Sequence, residues 1–274
     1  MDNWRRAAAA GGVWGAVIGA IAGVSAPASA QWADRLVEYV EGAGVPPGYN
    51  NPLVALGEPT RFTGEGMFPS VVSPFSAPWL TDEVVTVGEG GRLVVAFDQP
   101  VRNNPLNPFG VDLLVFGNAF YLLEAGGVAG PAVTEGGLIE VSPDGMAWTL
   151  IDGVEADGIF PSLGYLDITD PFQGEPGSVL SDFTRPVDPS FDATGLTLSE
   201  IIAGYDGSGG GVGVDIGAFG LEEVSFVRIT NPLGSGLLPE IDGFARVTPV
   251  PAPATVALLG AGAFLARRRR AAAR

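Results

Sequence analysis

Residues 87–120 read V-G-E-G-G-R-L-V-V-A-F-D-Q-P-V-R-N-N-P-L-N-P-F-G-V-D-L-L-V-F-G-N-A-F. Two apolar runs stand out, Leu93 to Phe97 and Leu113 to Phe116, separated by a loop rich in Asn and Pro. Both runs are too short for a helix and are bounded by Gly, Asn and Pro, so they read as strands buried on both faces. The rest of the chain leads into this pair or packs against it.

Upstream, Gln31 to Gly42 carries Trp32, Leu36, Tyr39 and Val40 at helical spacing and stops at Gly42 and Gly44. This predicts one short amphipathic helix or a leading arm. Val45 to Pro59 shows no periodicity and reads as a turn-rich connection. Downstream, Val141-Ser142-Pro143-Asp144-Gly145-Met146-Ala147-Trp148 predicts a hairpin, with Pro, Asp and Gly forming the turn and Trp148 capping the returning strand.

Ile159 to Leu198 is rich in Pro, Asp and Gly, and a loop of that length is expected to be functional or a lid over one sheet. Leu196 to Tyr205 predicts a second short helix capped by Thr197 or Ser199. Asp206 to Asp215 (D-G-S-G-G-G-V-G-V-D) reads as a flexible loop. Val224 to Ile229 and Ile241 to Val247, rich in β-branched and aromatic residues, read as closing strands. No internal repeat appears, and residues 31–249 fall within the range of one large all-β sandwich.

The 274-residue chain has no Cys, no His and no Lys, so all 14 basic residues are Arg. That excludes a disulfide framework, thiolate zinc sites, a Ser-His-Asp triad and Schiff-base chemistry. Between Gln31 and Pro249 there are 30 acidic against 7 basic residues, a balance of −23. Such a surface repels nucleic acid and anionic membranes and suits divalent cations.

The two ends differ from the middle. Residues 1–30 carry Arg5 and Arg6, an apolar run to Val24, and the small-x-small pattern Ala28 and Ala30, which predicts a secretory signal cleaved before Gln31. Residues 250–274 begin Val250-Pro251-Ala252-Pro253, continue as a short apolar helix, and close on Arg267, Arg268, Arg269 and Arg270. Residues 254–266 would make only about 20 Å of helix, short for a stable span.

This tail resembles the PEP-CTERM sorting signal, whose pattern is Pro-Glu-Pro, an apolar helix and basic residues. Pro251 and Pro253 match it, and Ala252 stands in place of the Glu. The resemblance implies export, transient inner-membrane contact through the tail, an exosortase-like sorting enzyme, and a cell-surface or extracellular address. A simple C-terminal anchor is the alternative.

Ala55-Leu56-Gly57-Glu58-Pro59 resembles a motif near the start of secreted discoidin-like jelly-roll domains. There it is followed by a Gly-Gly turn, a strand ending in Phe, and a strand of the form D-x-x-V-F. Gly90-Gly91, Arg92 to Phe97 and Asp112 to Phe116 supply these parts in the same order. The V-S-x-D-G-x-x-W run is similar to one in galactose-binding-like sandwiches, which implies a core position for Trp148. The expected fold is therefore a jelly-roll-type β-sandwich with one or two short helices.

For chemistry, the first candidate is a calcium position. Asp98, Asp112 and Asn118 flank the central strands, while Asp206 and Asp215 bracket the Gly run, which lacks the ligand spacing of an EF-hand. Asp112 and Asn118, six residues apart, would face one side of an extended strand. The bland alternative is a set of solvated acidic loops. Trp79, Trp148, Tyr121 and Tyr165 would stack on sugar rings if exposed, though core packing is the expected role of each.

Three functional readings stay open: a non-enzymatic surface or matrix protein contacting extracellular polysaccharide, a secreted hydrolase using two carboxylates, and a self-associating coat protein.

Overall fold

The structure, a computed structural model, describes residues 31–250. The signal segment 1–30, with Ala28 and Ala30, and the tail residues Pro251, Pro253 and Arg267 to Arg270 lie outside the described residues.

In chain order the elements are β1 (Arg35–Val40), β2 (Phe62–Thr63), β3 (Ser70–Val71), β4 (Val85–Thr86), β5 (Arg92–Arg102), β6 (Leu113–Gly117), β7 (Phe120–Glu124) and β8 (Val128–Val133). Then come β9 (Gly136–Ser142), β10 (Thr149–Asp157), α1 (Leu198–Tyr205), β11 (Val212–Val214), β12 (Glu223–Thr230) and β13 (Glu240–Arg246).

Two antiparallel sheets carry the domain, one ordered β1-β5-β12-β9-β10 and the other β11-β6-β13-β4. With β1 set aside, the pairings nest: β4 with β13, β5 with β12, β6 with β11, and β9 with β10. First meets last and the middle two meet each other, as in one long hairpin folded over itself. That is the jelly-roll order expected from the sequence.

Side-chain alternation sorts the two central strands. Leu93, Val95 and Phe97 of β5 and Leu113 and Val115 of β6 point between the sheets, where they meet Ile139, Val227, Ile229 and Phe244. The opposite faces are buried for different reasons. Leu114 and Phe116 are covered by a third layer whose Phe183 ring meets Phe116 edge-on at 5.1 Å. Val94, only 3 % exposed, belongs to the other sheet's outer face, beside the long side chains of Glu38, Arg92 and Arg228.

The third layer is the Pro/Asp/Gly-rich stretch together with α1 and the hairpins β2–β3 and β7–β8, and it has its own core around Phe75, Tyr121, Leu163, Ile201 and Tyr205. It acts as a lid on the four-stranded sheet. Helix α1 starts in a full capping box: Thr197 Oγ1 accepts from the Glu200 amide, and Glu200 accepts from the Thr197 amide at 2.9 Å. Thr197→Ala is expected to lower stability by about 1 kcal/mol in urea unfolding.

Three expectations are corrected. The segment read as a helix or arm at the start forms β1, which pairs with β5 through a bulge between Leu36 and Glu38. The extra residue lets Leu36 and Tyr39 both pack on the core, so a bulged strand produces a helix-like spacing.

The Gly run is not a loose loop. A Cβ at Gly209 would meet Phe183 at 2.2 Å and one at Gly211 would meet Phe116 at 2.7 Å, so these glycines let the chain lie against aromatic rings. Finally, Trp148 is half-buried and lines a surface groove instead of sitting in the core, whereas Tyr121 and Tyr165 are buried as expected.

Candidate functional site

One sheet is capped by the third layer, and among the described residues the outer face of the five-stranded sheet is left open. Strand register sets Glu38, Val94, Arg228, Glu140 and Leu150 in one row across it, with Arg92, Thr230 and Leu138 in the next. These are alternate positions on strands whose other face is apolar, so their charges reach solvent at no cost to the core.

Two bidentate ion pairs rigidify the row. Arg228 donates from Nε to Glu140 Oε2 at 2.7 Å and from Nη2 to Oε1 at 2.5 Å, and Thr230 Oγ1 donates to Oε2 at 2.9 Å. Arg92 donates to Glu38 in the same manner at 2.8 and 2.6 Å. The guanidinium hydrogen bonds hold the Glu140 and Glu38 carboxyls below their ordinary range.

The β9–β10 turn delivers the aromatic. Ser142 Oγ accepts from the Gly145 amide at 2.8 Å, while Asp144 Oδ1 accepts from the Met146 and Ala147 amides at 2.8 and 3.0 Å. This is the turn expected from Pro143-Asp144-Gly145. It brings Trp148 beside Arg228, whose Cζ lies 4.1 Å from the ring centroid. Together these groups line a groove of about 470 Å3. A second groove of about 560 Å3 lies in the third layer, between Trp79 and the exposed Met67, Phe68 and Phe172.

The five residues expected around calcium each have their own hydrogen-bonding environment, Asp215 accepting from the Ala218 amide at 3.0 Å. Asp98 is exposed on β5, its amide donating to Asp34. Asp112 is buried and accepts from the Asn104 amide, Asn107 Nδ2 and the Ile216 amide; burial pushes its carboxyl up, and the charge of Asp215 adds to that. Asp206 ends α1 in a left-handed conformation and pairs with Arg185. Asn118 donates to Glu240.

Asp112 and Asn118 flank β6 and are too far apart to share one ion. They stand just outside the two ends of β6, about 20 Å apart at the usual strand rise. Among the described residues, no group of three or more acidic side chains is arranged to hold a metal ion by itself.

The open face can present rigid hydrogen-bonding edges beside an aromatic plane, a combination that suits a polyhydroxylated ring. As a hydrolytic centre it is poorly equipped, because glycoside hydrolysis needs one carboxyl held protonated and both of these are held ionised. The acids whose pKa values are pushed up the furthest, Asp157 and Asp242, are fully buried.

The Arg228–Glu140 pair was missed in the sequence, although the signal was present as single charges of opposite sign at outward positions of β-branched strands. No protein-family model and no curated protein matches the chain.

Proposed function

We propose that this is an exported, non-enzymatic cell-surface or matrix protein that contacts extracellular polysaccharide through the open face of its five-stranded sheet. The observation that carries the reading is Trp148 held at the groove edge by a pre-ordered turn, beside two arginines and two glutamates already locked in place. Pre-ordering removes side-chain entropy from the cost of binding. The −23 balance of the exported part disfavours acidic polymers, so the ligand class is a neutral glycan chain lying across the strands. The export address rests on the two ends of the sequence: a signal segment removed during secretion, and a tail handled by an exosortase-like enzyme after brief membrane contact.

Binding of the full-length protein to immobilised neutral and acidic polysaccharides tests the reading. Retention on a neutral glycan is expected, and Trp148→Ala is expected to weaken it at least about tenfold while leaving the circular dichroism spectrum of the fold unchanged. Unaltered binding in that variant, or none by the parent to any sugar, removes the groove from consideration. Cell fractionation checks the address.

A further inference from the structure

At one end of the sandwich four side chains from both sheets converge. Asp157 closes β10, Glu135 stands just before β9, Glu240 opens β13 and Asn118 follows β6. Asp157 Oδ2 accepts from the Glu240 amide at 3.3 Å, Glu240 Oε1 accepts from Thr86 Oγ1 at 3.0 Å, and its Oε2 accepts from Asn118 Nδ2.

Asp157 is 0 % exposed, and its Oδ1 has no hydrogen-bond partner. The Ala119 amide leans on the same carboxyl without reaching hydrogen-bond geometry. Oδ1 lies over Gly117, 2.5 Å from where a Cβ would stand, so it points toward the strand end that carries Asn118. Among the described residues, the charges that bear on Asp157 and Glu240 are those of acidic neighbours, and burial pushes the Glu135 carboxyl up.

A buried, unpaired anion with like-charged neighbours costs several kcal/mol unless it is neutralised. Elsewhere in this acidic chain the exposed carboxylates are solvated or paired with arginine. For Asp157 neither solution is present.

We propose that this end of the sandwich is a calcium site, with Asp157 Oδ1, one oxygen of Glu240 and the Asn118 side-chain oxygen as protein ligands and Glu135 adding negative charge at its rim. Two carboxylates, an amide oxygen and the main-chain carbonyls and waters needed to complete the shell form an irregular all-oxygen set. Calcium accepts such a set, and magnesium, which demands near-ideal octahedral geometry, does not. The ion would staple β10 of one sheet to β6 and β13 of the other. The inference stands apart from the polysaccharide reading, since it uses none of the open-face residues.

Thermal unfolding of the full-length protein in EDTA and in calcium chloride is the test, with titration calorimetry for affinity. Calcium at a hundredfold excess over its dissociation constant is expected to raise the midpoint by about 5–10 °C. Asp157→Asn is expected to abolish that rise, yet to unfold no earlier than the parent in EDTA, because the buried charge is gone. Should that variant fail to fold, Glu240→Gln reads the same site, with affinity lowered at least about tenfold. No midpoint shift in the parent, or an equal shift in parent and variants, overturns the proposal.

Discussion

Gly210→Ala is expected to destabilise the protein by about 3–5 kcal/mol in urea unfolding. Gly207→Ala, three positions away in the same run, is expected to cost only about 1–2 kcal/mol. Both residues have positive φ, +84° at Gly210 and +86° at Gly207, so each alanine pays for a left-handed backbone.

They differ in what surrounds them. A Cβ at Gly210 would stand 2.3 Å from the Pro161 carbonyl oxygen and 3.0 Å from that of Phe160, both main-chain atoms that cannot swing aside. At Gly207 nothing lies within 4 Å. The loop is also tied by main-chain bonds, with the Leu163 amide donating to Gly209 and the Gly211 amide to Phe160. Similar small losses for both variants would mean that the run is the flexible loop its composition suggests.

The second large effect is on pH dependence. Asp242 of β13 is fully buried, with Oδ2 accepting from the Thr60 amide at 2.9 Å and Oδ1 from Thr60 Oγ1 at 2.8 Å. Burial pushes its carboxyl up to about 7 against the pull of those two bonds, and the nearby Glu83 charge pushes the same way.

In the unfolded chain the group ionises near 4. Between those values the native protein holds a proton that the unfolded chain has released, so stability falls as pH rises. The contribution is complete below about 4 and gone above about 7, and across that window it amounts to a few kcal/mol. Unfolding free energies measured in EDTA at pH 4.5 and 7.5 should fall for the parent and fall less for Asp242→Asn. Equal slopes in the two proteins would contradict this account of Asp242.

The two grooves and the two buried acids were not equally readable in advance. Arg228 and Glu140 sit at alternating positions in strands, a pattern that marks an outward face. Nothing local reveals that they oppose each other across β9 and β12, because their pairing spans 88 residues. The likeness to galactose-binding-like sandwiches implies a core Trp148; in this chain the turn is ordered by Ser142 and Asp144, and it holds the ring over Arg228 at the surface. Asp157 carries no signal at all, since an Asp ending a strand is ordinary until the opposing sheet closes over it.

Short apolar runs, Pro-Asp-Gly turn chemistry and the Thr197 cap were enough, read along the chain, to determine an all-β sandwich with one short helix, because these preferences act over a few residues. Which face of each sheet stays open, where β1 docks through its bulge, and which carboxylates lose contact with water were decided only by the tertiary structure. Those outcomes depend on segments that meet across 54 residues of chain where β1 docks and across 83 and 88 at the buried and outward acids, and a single sequence holds no local trace of which partner each strand will find.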